Sequence, residues 1–182
     1  MSNKSFNTKK IVFSAASIAL ATVAANWIKT PSLPFGGSVT FFSMLFAALP
    51  GFFYGPVVGL CAATAHGLIQ FISNPYAIHP LQVILDYILA FGALGLSGMF
   101  ANSKNGLIKG YSVGVAGRFV FSCISGVIFY TSYIGVPGTD FLAVIAGIGY
   151  NLTYMLPEYV LTMIVLFIPA VKKAFLHVKK IA

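Results

Sequence analysis

Long apolar stretches, separated by short segments rich in proline and glycine, run through most of this 182-residue chain. The stretch from residue 80 to residue 100 carries a single charged side chain, Asp86, and it matches the roughly 20 residues that a helix needs to cross a membrane. Charged residues make up 8% of the chain, against about 25% in a typical soluble domain. This shortage excludes an ordinary soluble enzyme, a disordered chain and a disulfide-rich secreted scaffold. We therefore predict an all-α polytopic membrane protein, because the strands of an outer-membrane barrel would alternate between apolar and polar residues.

Six apolar runs qualify, or nearly qualify, as transmembrane helices within a single domain that covers residues 1–182. Turn-forming residues separate the runs, as at Pro31, Pro50 and Gly55. The second run is short and interrupted, so it is expected to be tilted or partly re-entrant. The predicted spans are residues 11–27, 39–53, 56–72, 80–100, 110–130 and 141–168.

The distribution of lysine predicts how these spans are oriented. If there are six spans, nine lysines fall on one side of the membrane and only Lys29 falls on the other. Lysine and arginine concentrate in cytoplasmic loops, so both termini and the loop between the fourth and fifth spans are predicted to be cytoplasmic. Membrane topology then explains the net charge of +8. Because the basic residues are accounted for in this way, no nucleic-acid partner is predicted. The nine lysines are Lys4, Lys9, Lys10, Lys104, Lys109, Lys172, Lys173, Lys179 and Lys180.

Three residues that carry a charge at neutral pH when exposed to water lie inside the predicted spans, namely Asp86, Arg118 and Glu158. Each is a candidate functional residue, because an ionisable group in the hydrocarbon core is costly. The simplest interpretation pairs Arg118 with one of the two carboxylates. Since there are two acids and one base, at least one carboxylate is left for a proton, for water or for a cationic ligand.

Other features narrow the classes of function. A membrane enzyme that uses Asp86, Glu158 and His66 as acids and bases is the main rival interpretation, but no nucleophile or metal site accompanies them. The chain is therefore not predicted to be an enzyme, and no cofactor is predicted. The sequence has no Gly-x-x-x-x-Gly-Lys-Ser/Thr motif, so it cannot hydrolyse ATP through a P-loop.

Tyrosines concentrate near the predicted exterior ends of the last three spans. An interfacial aromatic belt explains some of them, but a belt would place tyrosines at both interfaces. Tyrosines beside a carboxylate suit a flat, cationic ligand that forms hydrogen bonds. The clustered residues are Tyr76, Tyr87, Tyr130, Tyr133, Tyr150 and Tyr154.

Three segments of the chain carry a specific resemblance to a known family. They are residues 33–40, residues 74–91, and a pattern of residues from Arg118 to Glu158 that includes Ser125-Gly-Val-Ile-Phe129 and Tyr150-Asn151. Together they resemble the thiamine-specific substrate-binding subunits of energy-coupling factor transporters over nearly the whole chain. The resemblance implies a six-helix, multi-pass protein of the bacterial plasma membrane that binds a vitamin. It also implies a membrane scaffold subunit and two ATPase subunits as partners.

The resemblance further implies roles for individual residues. Asp86 and Tyr87 match an acidic residue followed by tyrosine that holds the ligand in this family. Ala15 and Ala19 match an Ala-x-x-x-Ala face on the first helix, through which the family docks on its membrane partner. With Glu158 added as a buried acid, the candidate substrate-binding residues are Asp86, Tyr87, Tyr76, Gly126, Tyr130, Asn151, Ser122 and Glu158.

The chain departs from the family's pattern at the expected ligand site. Gly37 stands where one branch of the family has tryptophan, Ser122 where it has histidine, and Ala146 where it has tyrosine, while the acid at position 86 is Asp and not Glu. These changes remove a stacking surface and a hydrogen bond. Thiamine, a thiamine precursor and a pyridoxine-like vitamin are therefore all open as ligands. A stand-alone secondary carrier is a further alternative.

Overall fold

A computed structural model describes residues 8–33, 37–134 and 141–182, and it describes the side chains in these ranges except those of residues 130–134 and 142–143. Within the described residues the only extended pairing is an isolated antiparallel bridge between Lys29 and Thr40. The all-α prediction is thus confirmed. The helices are α1 (Thr8–Trp27), α2 (Ser43–Tyr54), α3 (Pro56–Ser73), α4 (Pro80–Phe100), α5 (Gly106–Ile134), α6 (Phe141–Phe167) and α7 (Pro169–Ile181).

Four of the described helices are long and apolar enough to cross a membrane by themselves, namely α1, α3, α4 and α5. A fifth span is possible if α6 and α7, which meet at an angle of 86°, are taken as one bent pair. Helix α2 has 12 residues, so it rises about 18 Å and is too short for a hydrocarbon core of about 30 Å. Its predicted span began at residue 39, but residues 37–42 precede the helix in a non-helical segment. The expected short second element is therefore present, and it is shorter than predicted.

Helix α4 changes its winding along its length. An α-helical turn at Pro80–Val83 is followed by a π-helical segment at Ile84–Leu89, an α-helical turn at Ala90–Ala93 and a 3₁₀ segment at Leu94–Phe100. The π-helical segment contains Asp86 and Tyr87, and π-helical turns are frequent at functional sites.

Glycines allow α3 to lie directly against α4. A Cβ atom at Gly59 would lie 2.6 Å from the carbonyl oxygen of Gly95, and one at Gly67 would lie 1.8 Å from that of Tyr87. These positions have no room for any larger residue. Close backbone contact of this kind replaces the hydrophobic drive that is missing between helices in lipid.

The two described ends of the chain meet the loop between α4 and α5 at one end of the bundle. The Nζ atom of Lys9 donates to the carbonyl oxygen of Ile181 at 3.2 Å. From α7, Lys172 donates to the side chain of Asn105, and Lys179 donates to the carbonyl oxygen of Ala101. Helix α7 therefore lies across this end of the bundle.

Candidate functional site

A cavity of about 560 Å³ lies between helices α3 to α6 and the strap, the segment of residues 28–33 and 37–42 that joins α1 to α2. Its volume falls within the range of about 300–1,000 Å³ that small-molecule sites usually have. Seven of the eight candidate substrate-binding residues line it, while the side chain of Tyr130 lies outside the described part of the structure. The seven are Tyr76, Asp86, Tyr87, Ser122, Gly126, Asn151 and Glu158.

Asp86 is held in a fixed orientation at the cavity wall. The Ser125 hydroxyl donates to its Oδ2 atom at 2.7 Å, and the side chain of Gln82 also forms a hydrogen bond with the carboxylate. The Oε1 atom of Gln82 in turn accepts from the backbone N–H of Ile78 at 3.0 Å, which orients the amide. A carboxylate offers about four acceptor positions. Asp86 can therefore accept further hydrogen bonds from a ligand without losing its support.

Tyr87 joins the cavity wall to the loop that follows α3. Its hydroxyl donates to the carbonyl oxygens of Asn74, at 3.2 Å, and Tyr76, at 3.4 Å. Its ring lies edge-on to Phe71, with the ring centroids 5.1 Å apart, and is stacked on Phe91 at 6.3 Å. The ring is therefore fixed as a wall of the cavity, and the loop that carries Tyr76 is fixed with it.

Asn151 links α6 to α5 through its side-chain amide, and both polar atoms of that amide have hydrogen-bond partners. Its Nδ2 atom donates to the carbonyl oxygens of Ser122, at 3.1 Å, and Gly147, at 3.0 Å, while its Oδ1 atom accepts from the Tyr154 hydroxyl at 2.5 Å. A Cβ atom at Gly126 would lie 3.2 Å from Nδ2, so this glycine makes room for the link. Both N–H groups of the Asn151 amide are therefore used inside the protein.

Glu158 holds the N-terminus of α2 against α6. It is 3% exposed, and its carboxylate accepts hydrogen bonds from the Thr40 hydroxyl and, at 2.8 Å, from the backbone N–H of Met44. The first N–H groups of a helix have no partners within the helix, and the helix dipole favours a negative charge at that end. Glu158 thus accepts a hydrogen bond from a backbone N–H group in the first turn of α2. It also lines the cavity, but its hydrogen bonds serve the structure of this helix end.

Arg118 does not form the ion pair that the simplest interpretation of the sequence expects. The described residues show no salt bridge between Arg118 and either carboxylate, although its positive charge acts electrostatically on both Asp86 and Glu158. Its guanidinium carbon lies 4.1 Å from the centroid of the Phe91 ring. The carboxylates have other donors, as described above. The sequence alone could not show this, because the partners come from distant segments.

The strap contacts α6 through Gly37. The backbone N–H of Gly37 donates to the Tyr150 hydroxyl at 2.7 Å, and a Cβ atom at this position would lie 2.6 Å from that oxygen. The strap is closed on itself by a hydrogen bond of 2.9 Å from the N–H of Thr30 to the carbonyl oxygen of Val39. Tyr150 therefore supplies an aromatic wall beside the glycine, while Ala146 is not among the residues that line the cavity.

The remaining predicted residues lie away from the cavity. His66 is fully buried and bonds through Nδ1 to the Thr22 hydroxyl at 3.3 Å, and its ring packs edge-on against Phe91. It does not line the cavity, which leaves the rival enzyme without its base. Ala15 and Ala19 are exposed on the outer face of α1.

Sequence reasoning missed several residues that build the site. Ser125 and Thr40, which support the carboxylates of Asp86 and Glu158, are not among the residues that the sequence predicts. Their partners are 39 and 118 residues away along the chain. No local spacing could have predicted these contacts.

Comparison with known proteins identifies the family. Residues 11–178 match the family described as "Thiamine transporter protein (Thia_YuaJ)". The chain belongs to this family. Its sequence is 34% identical over 169 residues to the thiamine transporter ThiT of Bacillus subtilis (strain 168), an alignment that covers 85% of this chain and 84% of the relative. The resemblance to thiamine-specific transport proteins is thereby confirmed.

A solved structure of ThiT from Listeria monocytogenes has a similar fold. The TM-score is 0.66 with 21% sequence identity, and the match covers 90% of this chain and 96% of the other. The family and the Bacillus relative are transporters and not enzymes, in agreement with the prediction from the sequence. This family and the apolar helices together make the chain a multi-pass membrane protein.

Proposed function

We propose that the chain is the vitamin-binding subunit of an ATP-driven importer in the bacterial plasma membrane, and that its ligand is thiamine. The observation that carries this proposal is a polar cavity of about 560 Å³, with a supported carboxylate at its wall, inside a chain of the thiamine transporter family. The same family membership favours a transporter over a membrane enzyme.

The cavity provides complementary chemistry for an aminopyrimidine and a cationic ring. Asp86 accepts hydrogen bonds from the amino group or balances the positive charge. The rings of Tyr76 and Tyr87 flank the ligand, and the contribution of Tyr130 stays a prediction from the sequence. Ser122, Gly126 and Asn151 form the part of the wall that α5 and α6 contribute, where the hydrogen bond from Asn151 to the carbonyl oxygen of Ser122 joins the two helices. Glu158 acts by holding α2 and the strap in place.

The departures from the family's pattern are compatible with thiamine. A tryptophan at position 37 could not fit without displacing Tyr150, because a Cβ atom alone would lie 2.6 Å from the tyrosine oxygen. Tyr150 lines the cavity and supplies an aromatic surface from α6 instead. Asp86 would accept hydrogen bonds from the aminopyrimidine of a thiamine precursor as well, so membership of the thiamine transporter family is what favours thiamine over the precursor and over a pyridoxine-like vitamin.

We infer six crossings with both termini in the cytoplasm. The crossings are α1, the strap with α2, α3, α4, α5 and α6, while α7 lies along the cytoplasmic surface. The contacts of Lys9 with α7, and of α7 with the loop between α4 and α5, support this topology because they place all three segments at one end of the bundle. The lysines of these segments have the bias expected for the cytoplasmic side.

Transport requires energy from other subunits, since the sequence has no P-loop. A membrane scaffold and two ATPase subunits would supply it. Ala15 and Ala19 lie one turn apart on α1, both are exposed, and small residues at this spacing allow a partner helix to approach closely. They are therefore the proposed docking face.

Larger side chains on this docking face are expected to reduce transport without changing the affinity for thiamine. In cells that contain the whole assembly, the double variant Ala15→Leu, Ala19→Leu should reduce thiamine uptake several-fold, because leucine keeps the helix apolar but prevents close contact. Thiamine binding by the purified variant should be unchanged, since neither residue lines the cavity. Ala65→Leu, an exposed alanine on α3, is the matched control.

Either of two results would count against the proposed mechanism. One is uptake by the double variant at the wild-type rate. The other is uptake by the wild-type chain in cells that lack the ATPase subunits, because a stand-alone secondary carrier would transport without them.

A further inference from the structure

A second pocket, of about 220 Å³, is a groove between α5 and α6. Met155 is the one lining residue that it shares with the larger cavity, so the two are separate features of the molecule. The groove opens on the outer surface of the bundle. On its α6 side Leu152 and Leu156 are 40% and 50% exposed, and on its α5 side Ala116 is also exposed. We call this feature the α5–α6 groove.

The α5–α6 groove has a preformed and almost entirely apolar lining. Six of its eight lining residues are apolar, and the other two, Ser112 and Tyr159, form a hydrogen bond of 2.9 Å with each other. The Ser112 hydroxyl also donates to the carbonyl oxygen of Ile108 at 2.9 Å, so the Tyr159 hydroxyl is the donor to Ser112. The ring of Tyr159 is stacked on that of Tyr111, with the centroids 5.8 Å apart. Both hydroxyl hydrogens are thus used inside the protein, and the lining suits an apolar ligand.

The depth of the groove places it among lipid acyl chains. Helix α5 is long and apolar enough to cross a membrane. The groove begins at Ser112, six residues or about 9 Å after the start of α5 at Gly106. It continues to Phe119, which adds a rise of about 10.5 Å. The open side of the groove therefore faces the hydrocarbon core of the bilayer and not water.

A cation lies on the same face of α5, beyond the end of the groove that is nearer to the loop between α4 and α5. Lys109 precedes Ser112 by three residues and Ala116 by seven, and these spacings place the three side chains on one face of the helix. Lys109 is exposed and lies in the first turn of α5, where a crossing helix meets the headgroups. Basic residues at this depth attract anionic lipids, and basic pockets between membrane helices bind their headgroups.

We propose that the α5–α6 groove binds one acyl chain of an anionic phospholipid, and that Lys109 contacts the phosphate of the same lipid. Burial of the acyl chain against the apolar lining supplies affinity, and the lysine selects the charge of the headgroup. A lipid matches both features, since its tail runs along the groove while its negative charge lies at the depth of Lys109. The site is distinct from the vitamin site, because neither Lys109 nor Ala116 lines the larger cavity.

Lipid retention by the full-length, detergent-purified chain tests this site. The probes are dioleoylphosphatidylglycerol and dioleoylphosphatidylcholine, which differ only in the headgroup, and native mass spectrometry measures how much of each stays bound. The wild-type chain should bind the anionic lipid about fivefold more tightly, the effect expected of one lysine at the headgroups. Lys109→Gln should remove this preference. Ala116→Phe, which fills the groove, should reduce retention of both lipids several-fold. Lys104→Gln and Ala65→Phe, at exposed positions outside the groove, are the controls and should change neither lipid.

The outcomes distinguish a lipid from other occupants of the groove. Equal retention of the two lipids by the wild-type chain, or wild-type retention of the anionic lipid by both variants, would overturn the inference. Ala116→Phe that keeps the lipid but no longer co-purifies with the other transporter subunits would assign the groove to a partner helix and would also overturn it. Cooperative thermal unfolding shows whether each variant is folded. If Ala116→Phe does not fold, the comparison of the two lipids on Lys109→Gln decides.

Discussion

Replacing Asp86 by Asn is expected to weaken thiamine binding by about tenfold to a hundredfold, because hydrogen bonds to charged groups contribute about 1.5–3 kcal/mol. The amide keeps the shape of the carboxylate and one acceptor oxygen, so the contact with Ser125 can persist. What is lost is the negative charge and an acceptor that faces the ligand. Calorimetric titration of the purified variant measures the change in affinity.

Two further variants show whether the loss of affinity in Asp86→Asn comes from the lost negative charge or from a change in local structure. Asp86→Glu restores the carboxylate and should recover most of the affinity. Ser125→Ala removes a supporting hydrogen bond but keeps the charge, so its effect should be smaller than that of Asp86→Asn. Unchanged thiamine affinity in Asp86→Asn, with unchanged thermal stability, would remove Asp86 from the binding site.

Replacing Gly67 by Ala is expected to destabilise the protein and to weaken ligand binding together. The new Cβ atom would lie 1.8 Å from the carbonyl oxygen of Tyr87 and 2.8 Å from the Cβ atom of Phe91. Since the contact is with backbone, α3 and α4 must move apart, and forcing extra atoms into a packed interface costs about 1–3 kcal/mol. Tyr87 and Phe91 form part of the cavity wall, so their displacement also lowers affinity.

Thermal unfolding in detergent measures the loss of stability, and Gly149→Ala provides a matched control. A Cβ atom at Gly149 on α6 meets nothing within 4 Å. Alanine there should be neutral or slightly stabilising, because alanine favours a helix over glycine by about 1 kcal/mol. A Gly67→Ala variant as stable as Gly149→Ala would contradict the close packing of α3 on α4.

The helical fold was largely predictable because apolar length and turn-forming residues are local signals. The fourth predicted span, residues 80–100, coincides with α4, and the third coincides with α3 to within a residue. The start of α2 was not predictable, since the last residues of the strap, 39–42, are mostly apolar like the helix that follows them. The separate helix α7 was missed for a related reason: Pro169 begins an amphipathic helix that the search for apolar spans does not detect.

The sequence predicted which residues line the cavity better than it predicted the contacts that these residues make. A charged residue within an apolar run is conspicuous, so Asp86, Arg118 and Glu158 could be identified, and the family resemblance supplied most of the remaining candidates. The contacts of Glu158 with the start of α2, and of Arg118 with Phe91, depend on how distant helices pack. The sequence indicated which groups are costly to bury, and the fold determines which neighbours offset that cost.

The central claim is that this cavity binds thiamine in preference to other small vitamins. Calorimetric titration of the detergent-purified chain with thiamine, its pyrimidine precursor and pyridoxine tests the claim directly. Saturable thiamine binding with one site per chain, tighter than that of either competitor, is the result that we predict. Tighter binding of the precursor or of pyridoxine would keep the transporter fold and contradict the assignment of the ligand, and the absence of binding by all three would contradict the proposed function itself.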